Sequence, residues 1–221
     1  MTLLTDHATT IAPDAAPESE GGKARQILDG ARAVFLADGF DGASMNDIAR
    51  VAGVSKGTLY VYFPSKEALF EALVRHDRRE QAEQLSRFAT DTGDVDTVLR
   101  AFGRDLLAVM LTPACVAQVR TVIAVAPKFP DIGRAFHEAG PAHGIARLSG
   151  YLVAQAAAGA LRPLRDPQLA AVQFVELCRA GIFARLLYCV DASIAADEMA
   201  RVVDGAVDVF MSAYGPALKQ A

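Results

Sequence analysis

The sequence predicts an all-α protein. Apolar residues recur at helical spacing along most of the chain, and no stretch combines period-two alternation with the turn signals of a β-hairpin. Prolines and glycines divide this pattern into segments of helix length. Apolar residues make up 52% of the 221 residues, which is enough for a sizeable core in one or two domains. An intrinsically disordered chain is therefore excluded.

The N-terminal segment changes character at residue 23. Residues 1–22 hold four carboxylates, no lysine or arginine and no apolar periodicity, so they are expected to form a disordered acidic tail. From Lys23 onward the chain is predicted to be helical, because apolar residues follow i, i+4, i+7, i+8 spacing that starts at Ile27. Gly39 supplies the stop of this first helix.

Two short helices are predicted next. Ser44, followed by Asp47 three residues later, starts the second helix in a near capping box, and Gly53 ends it. Ser55 caps a third helix that reaches about Tyr62. Two short helices joined by a tight turn, with another helix packed behind them, form a helix-turn-helix pattern.

The rest of the chain is also predicted to be helical. Ser65 caps a fourth helix that reaches about Phe88. Five further helices are expected near residues 95–111, 113–126, 131–160, 167–189 and 194–214. The Gly140-Pro141 pair should break or kink the third of these five.

The third helix has one face for the core and one for a nucleic acid. Leu59 and Phe63 can bury, which turns a lysine, a glycine and tyrosines outward. A lysine can reach a phosphate or a guanine edge, glycine lets the backbone approach the groove, and tyrosine hydroxyls can bind phosphate oxygens. Free N–H groups at helix N-termini also attract phosphate. The predicted DNA-contacting residues are Ser44, Ser55, Lys56, Gly57, Thr58, Tyr60, Tyr62 and Lys66.

Charge distribution permits this interpretation. The net charge is −4, but the first 22 residues alone account for −4, and the stretch 44–66 carries three cations against the single Asp47. The alternative is an ordinary capped surface helix with packed aromatic residues. Two further residues stay open: Arg25 can reach DNA or remain solvated, and Met45 can touch the DNA backbone or pack.

The stretch "GFDGASMNDIARVAGVSKGTLYVYFPSKEALFEAL" resembles the DNA-binding domain of TetR-type transcription regulators. Val61 and Tyr62 stand where that family often has an aromatic residue and histidine. The matching signature consists of Gly39-Phe40, Ile48-Ala49, Ala52-Gly53-Val54, Gly57-Thr58-Leu59-Tyr60, Phe63, Lys66 and Leu69.

The second half resembles the C-terminal domain of AefR-like members, in "FGRDLLAVMLTP", "KFPDIGRAFHEAGP" and "YLVAQAAAGALRPLRDPQLAAVQF". The resemblance implies a homodimer that binds a palindromic DNA operator, usually as a repressor, and releases it when a small-molecule effector enters the C-terminal domain. Together with the acidic tail expected at 1–22, it divides the chain into a helix-turn-helix DNA-binding domain at 23–70 and an all-helical ligand-binding and dimerisation domain at 71–221. The alternative function is a ligand-independent DNA-binding regulator or an activator.

A ligand cavity is expected mainly from this resemblance, and its mostly apolar walls would suit an apolar or amphipathic molecule. The alternative is that the same residues form ordinary core. Arg104, Arg120 and Arg134 could anchor an acid or carbonyl group, or could be surface cations. The candidate pocket residues are Phe102, Leu106, Met110, Val122, Ile123, Phe129, Phe136 and Phe174.

The last two predicted helices carry more apolar surface than one small core needs. Small residues at Ala180, Gly181 and Ala184 would let helices approach closely. We therefore expect a four-helix dimer interface, against the alternative of an intramolecular helix pair. The candidate interface residues are Leu177, Gly181, Arg185, Tyr188, Met199, Val203 and Phe210.

Several other classes of site are not expected. His137 and His143 fall on nearly opposite helix faces, so no metal site is predicted. No phosphate loop or catalytic motif appears, so neither a cofactor nor an enzyme is expected. The three cysteines lack CxxC spacing and suit free thiols, with Cys178 more suited to burial than to a redox switch. No signal peptide or membrane span is visible, so a cytoplasmic location without a membrane partner is expected.

Overall fold

A computed structural model describes residues 17–85 and 94–216, and within these ranges it contains helices and no β-strand. The all-α prediction is therefore confirmed. The helices are α1 (Pro17–Gly42), α2 (Met45–Ala52), α3 (Lys56–Tyr62), α4 (Lys66–Leu85), α5 (Val95–Met110), α6 (Pro113–Val125), α7 (Pro130–His137), a π-helical turn (Glu138–Ala142), α8 (His143–Ala157), α9 (Pro167–Arg179), α10 (Ile182–Leu187) and α11 (Ala196–Tyr214).

Helix α1 differs from its prediction at both ends. It begins at Pro17, six residues before the predicted start at Lys23, so the predicted start of this helix is corrected. The expected tail over residues 1–16 lies outside the described residues. Gly39 breaks the helix as predicted, with φ 69° and ψ 179°. The chain then turns to place Phe40 in the core. Helical hydrogen bonding then resumes and continues to Gly42.

The helix-turn-helix is built by the caps that the sequence predicts. The Ser44 hydroxyl accepts a hydrogen bond from the backbone N–H of Asp47 at 3.1 Å, and the Ser55 hydroxyl accepts one from the N–H of Thr58 at 3.0 Å. Gly53 ends α2 in the left-handed conformation, with φ 65° and ψ 36°, which glycine adopts at little cost. Ser44 therefore begins α2, while Gly53 and Ser55 form the turn from α2 into α3.

One apolar cluster holds α1–α4 together and extends into the second half of the chain. Ile27, Ile48, Leu59 and Leu69 have no exposed side-chain surface, and Val122 of α6 joins the same cluster. Helices α1–α4 are therefore packed against α6 and α7 through a shared core.

A second cluster forms the centre of the C-terminal domain from α5, α8, α9 and α11. Phe174 is fully buried there, with its ring 6.2 Å from that of Phe102 and 5.3 Å from that of Phe210. Helix α4 spans both clusters, because Leu73 lies in the first and Leu85 packs against the second. This helix is the continuous connection between the two cores.

Two predicted helices are interrupted. The expected kink at Gly140-Pro141 is confirmed and takes the form of the π-helical turn between α7 and α8, because proline cannot donate the usual backbone hydrogen bond. The single helix predicted at 167–189 is wrong, since the chain breaks between α9 and α10 where Gly181 has φ 75°. Helix α4 is described to Leu85, and its predicted end at Phe88 lies outside the described residues.

Within the described ranges, no single helix is long and apolar enough to cross a membrane. Helices α5 and α6 pass such a test only as a pair, which is bent by 68° at the break between them.

Candidate functional site

Helix α3 presents an exposed face at the edge of the N-terminal domain. Leu59 is completely buried, while Lys56 and Gly57 are exposed and Tyr60 retains 43% of its surface. The Lys56 ammonium lies 5.9 Å from the centre of the Tyr60 ring, one helical turn further along. The helix therefore carries a cation, a bare backbone and a phenol side by side on its outer surface.

Val61 is a residue of this face that the sequence analysis did not assign. Its side chain is 83% exposed, which is the largest value among the exposed large apolar residues of the described ranges. An exposed branched apolar side chain one turn after Gly57 can contact a thymine methyl group in the major groove. The missed signal was the spacing itself, because Val61 lies two positions after Leu59 and so points away from the core.

The serines predicted to contact DNA are both engaged as helix caps. Besides its capping bond, the Ser44 hydroxyl donates to the Asp47 carboxylate at 2.6 Å, and this hydrogen bond is the main reason that the pKa of Asp47 is lowered. The hydroxyls of Ser55 and Thr58 lie 2.8 Å apart. Their contact with DNA stays a prediction, whereas their role in starting α2 and α3 is visible.

Lys66 has a different role from the predicted phosphate contact. Its ammonium donates to the carbonyl oxygens of Phe40, Asp41 and Ala43 at 2.7, 3.3 and 3.0 Å. It also lies 4.7 Å from the centre of the Phe40 ring. These contacts use all three of its donors, so Lys66 fastens the start of α4 to the end of α1.

Of the remaining candidates, two are partly or fully packed and one is solvated. Tyr62 is half-buried, with its ring 6.5 Å from that of Phe63. Met45 is buried, which favours packing over contact with DNA. Arg25 is solvated and pairs with Glu80 at 3.3 Å.

A cavity of about 210 Å³, here called the inner cavity, lies among α4, α5, α6, the π-helical turn, α8, α9 and α10. Apolar and aromatic side chains form most of its wall, and Arg78, Arg147, Glu176 and Arg179 bring charge to it. Of the eight predicted pocket residues, the four that line it are Phe102, Leu106, Met110 and Phe136.

The other four pocket predictions are not borne out by this cavity. Val122 is buried and Phe129 partly buried in the apolar cluster of the N-terminal domain, with the Phe129 ring 5.7 Å from that of Phe40. Ile123 is 61% exposed to solvent. Phe174 belongs to the solid core of the C-terminal domain. Helical spacing predicted burial for all four side chains, which fails for Ile123, and it could not predict beside which space the other three would lie.

The three arginines proposed as ligand anchors do not line the inner cavity. Arg104 lies 3.4 Å from Asp204, and Arg134 lies 3.2 Å from Asp131. Arg120 donates to two backbone carbonyls at the end of α10. Arg104 and Arg134 are therefore surface cations, the alternative stated for them, whereas Arg120 joins α6 to the end of α10.

A second and larger space, here called the interdomain cleft, has a volume of about 470 Å³ and lies between α1, α4, α5 and α6. Arg32, Asp77 and Gln118 lie on its wall. Arg32 and Asp77 form an ion pair at 2.6 Å, and the hydrogen bond from this pair is the main reason that the pKa of Arg32 is raised. The charges of this cleft already have partners within the protein.

The predicted dimer residues fall into three groups. Val203 and Phe210 are corrections, because both are buried in the core of their own domain. Leu177 and Met199 also pack against that core, and Arg185 pairs with Asp191 and Glu198 of the same chain. Gly181 and Tyr188 are exposed, the latter by 77%.

The described residues were examined for groups that could bind a metal ion and for reactive thiols. No group of three or more His, Cys, Asp or Glu side chains could hold a metal ion in those residues. Burial raises the pKa of the Cys178 thiol to about 12, so it is protonated and unreactive at neutral pH. Cys115 is also buried, and Cys189 is exposed.

Two family models match the chain. Residues 27–73 match the model for bacterial regulatory proteins of the tetR family, and residues 97–216 match the C-terminal domain of AefR-like transcriptional repressors. The first match covers α2, α3 and most of α1. The second covers the helices that enclose the inner cavity, apart from α4.

Curated relatives match over a shorter stretch. The chain is 37% identical over 75 residues to the HTH-type transcriptional repressor Rv1474c of Mycobacterium tuberculosis, which is 34% of this chain and 40% of the relative. It is 44% identical over 63 residues to the HTH-type transcriptional regulator UidR of Escherichia coli, which is 28% of this chain and 31% of the relative. The chain therefore spans less than half the length of these relatives.

Solved structures match over nearly the whole chain. A TetR-family transcriptional regulator from Mesorhizobium loti has a TM-score of 0.84 and 28% identity, over 88% of this chain and 98% of that one. The flavonoid-responsive regulator FrrA has a TM-score of 0.71 and 33% identity, over 90% and 100%. The matched family model and the names of these relatives describe transcription regulators, in agreement with the expectation that the chain is not an enzyme.

Proposed function

The chain belongs to the TetR family of transcriptional regulators, with an AefR-like C-terminal domain, and from this premise we propose that it is a homodimeric repressor of a palindromic operator. In this proposal one α3 helix of each copy lies in the major groove, and a small apolar or amphipathic molecule in the inner cavity releases the DNA.

The exposed face of α3 carries the proposal. Lys56, Gly57, Tyr60 and Val61 are outward on a helix whose buried side is anchored by Leu59. The cation and the phenol suit phosphate and base edges, and the glycine lets the backbone approach them. A surface helix with no partner would not need this combination on its exposed side.

A second copy is needed because one such helix reads only a few base pairs. Two-fold symmetry doubles the site and places half-sites about 34–36 Å apart. Apolar side chains left exposed on the C-terminal helices support pairing there. They include Leu169 on α9, Tyr188 at the end of α10 and Val209 on α11.

The position of α4 supports release by a ligand. Its C-terminal half lines the inner cavity, and its first residue, Lys66, fastens it to the end of α1. A molecule that prefers a shifted α4 changes the distance between the two α3 helices and favours the state that does not fit DNA. A ligand-independent regulator would have no use for this cavity.

Selection of bound sequences from a random double-stranded DNA pool tests the proposal. The full chain is first stripped of any co-purified small molecules, and the selection is repeated at two salt concentrations. We expect a palindrome, and an affinity that falls steeply as salt rises because phosphate contacts release counterions. A folded protein that enriches no sequence would contradict DNA-binding regulation. Enrichment of a single unpaired half-site would contradict the dimer.

Tyr60 tests the assigned face directly. We predict that Tyr60→Ala weakens operator binding at least tenfold in a gel-shift titration, because the ring and its hydroxyl leave the surface of α3. Tyr60→Phe removes only the hydroxyl and should give a smaller loss. Since Tyr60 is exposed, the melting temperature of both variants should stay within about 2 °C of the parent, as is usual for surface substitutions. Unchanged operator affinity in both variants would remove α3 from the interface.

A further inference from the structure

Arg78 is the one charged side chain that is buried in the described part of the chain, with 6% of its surface exposed. It lies on α4 and lines the inner cavity. Burying a guanidinium without an opposite charge is unfavourable, so buried arginines normally pair with carboxylates. Its surroundings therefore indicate what the cavity is built to hold.

The partners of Arg78 are all neutral. Its Nε donates to the side-chain oxygen of Gln118 at 2.9 Å, and Nη1 and Nη2 lie 3.5 and 3.6 Å from the sulfur of Cys115. The guanidinium also lies 4.5 Å from the centre of the Phe136 ring. No carboxylate of the described residues lies within 4 Å of it. An amide, a thiol and an aromatic face hold the cation in place and leave its charge uncompensated.

The other charges of the inner cavity do not compensate Arg78. Arg179 is paired with Glu176 at 2.7 Å and lies over the Phe183 ring. Arg147 is exposed at the rim. With three arginines and one glutamate, the wall carries a net charge of +2 in an otherwise apolar space. Such a cavity favours an apolar molecule with one negative group.

We propose that Arg78 is the anion-binding residue of the inner cavity and that the effector is a small organic acid, with its carboxylate on the guanidinium and its apolar body against Phe102, Leu106 and Met110. This inference rests on the proposed function, because it names the chemical class of the releasing molecule. Arginine binds a carboxylate through two parallel N–H donors, which gives direction as well as affinity.

The size of the inner cavity limits which organic acids can be the effector. Its volume of about 210 Å³ exceeds the roughly 150 Å³ of an apolar cavity that binds benzene in another protein. One aromatic ring with a short acidic side chain, or a short alkyl carboxylate, therefore fits. Both 3-phenylpropanoate and hexanoate meet this description, and their primary amides have nearly the same shape without the charge.

Calorimetric titration of the full chain with these two acids and their two amides tests the class. We expect the acids to bind at least tenfold more tightly than the amides. Arg78→Gln should lose at least tenfold in affinity for the acids and little for the amides, while Arg78→Lys should retain part of it. Arg79→Gln is the matched control, because Arg79 is the next residue of α4 and is exposed.

Three outcomes would overturn the inference: equal affinity for acid and amide, full affinity for the acids in a folded Arg78→Gln, or no binding of either acid at millimolar concentration. If Arg78→Gln fails to fold, comparing the affinities of the acids and the amides for the parent chain still tests whether the cavity requires a negative group. Measurements of operator binding distinguish a failure of the organic-acid proposal from a failure of the proposed repressor function. Release of the operator by neutral molecules alone leaves the proposed function standing, whereas a chain that never binds an operator contradicts that function whatever ligand it takes.

Discussion

Two lysines, one at the start of α3 and one at the start of α4, show how one residue type takes different roles. Lys56 and Lys66 each begin a helix, so the sequence places both at positions that attract phosphate. Lys56 is exposed, and its ammonium lies over the Tyr60 ring at 5.9 Å. Lys66 instead donates to three carbonyls at the end of α1. Only the fold distinguishes a cation available to DNA from one used inside the protein.

Substitution by methionine separates these roles. Lys66→Met leaves three carbonyls without their donor, so we predict a loss of about 1–3 kcal/mol in the free energy of unfolding and a lower melting temperature. Lys56→Met should leave the melting temperature unchanged, weaken operator binding, and reduce its salt dependence by about one counterion. Thermal denaturation and gel-shift titrations at several salt concentrations measure both effects. A Lys66→Met variant of normal stability with impaired operator binding would restore Lys66 to the DNA interface.

At the scale of elements, the approach of α1 to α2 depends on one glycine. A Cβ added at Gly30 would lie 2.6 Å from the Cβ of Ala52 and 2.7 Å from its Cα and backbone nitrogen. Real Cβ atoms do not approach backbone so closely, so α2 would have to move. Because Ala52 directly precedes the Gly53 turn, the displacement would reach α3.

We therefore predict that Gly30→Ala lowers the free energy of unfolding by about 1–3 kcal/mol, the usual cost of overpacking a filled core, and weakens operator binding. Gly22→Ala is the matched control, because it lies in the same helix with nothing within 4 Å of the added Cβ. Helix propensity alone should make that control neutral or more stable by up to about 1 kcal/mol. Urea denaturation of both variants measures the difference. A stable Gly30→Ala would mean that α1 and α2 separate at little cost.

The elements that could be predicted from the sequence are those fixed by local chemistry. Ser44, Ser55 and Gly53 determine caps and a turn through bonds within a few residues, and the structure contains all three. The break at Gly181 was missed because a glycine inside an apolar helical pattern is locally compatible with either outcome. Helical periodicity placed Val203 and Phe210 on an apolar stripe, but their assignment to a dimer interface was wrong. Periodicity could not predict that they pack on α5 and α9 of the same chain, because an apolar helix face does not determine which helix will cover it.

At the scale of the molecule, a polar chain leads from the inner cavity to the DNA-binding domain. Arg78 donates to the side-chain oxygen of Gln118, whose amide nitrogen donates to the Asp77 carboxylate at 2.9 Å. Asp77 in turn accepts from Arg32 of α1 at 2.6 Å. Arg78 lines the inner cavity, whereas the other three residues line the interdomain cleft. The chain therefore crosses the wall between the two spaces, on the side where α1 packs against α4.

This arrangement gives a prediction about coupling rather than affinity. A carboxylate that binds Arg78 competes with Gln118 for its donors, and a shift of Gln118 loosens the hold of Asp77 on Arg32. We predict that Asp77→Asn binds 3-phenylpropanoate within threefold of the parent, because Asp77 does not line the inner cavity. The loss of operator affinity caused by that acid should fall from at least tenfold to less than threefold. Asp29→Asn is the control, since Asp29 pairs with Arg32 at 2.6 Å from within α1 but does not connect Arg32 to Gln118 or Arg78.

The coupling can be measured from either end. If 3-phenylpropanoate lowers operator affinity by some factor, the operator must lower the affinity for 3-phenylpropanoate by the same factor, because the two ligands share one coupling free energy. A tenfold effect corresponds to about 1.4 kcal/mol. The acid is therefore titrated into free and into operator-bound protein. In the parent and in Asp29→Asn, the operator should lower the affinity for the acid by the same factor by which the acid lowers the affinity for the operator. In Asp77→Asn that factor should be near one. Full coupling in Asp77→Asn would mean that α4 moves as a rigid helix and that the polar chain only follows it.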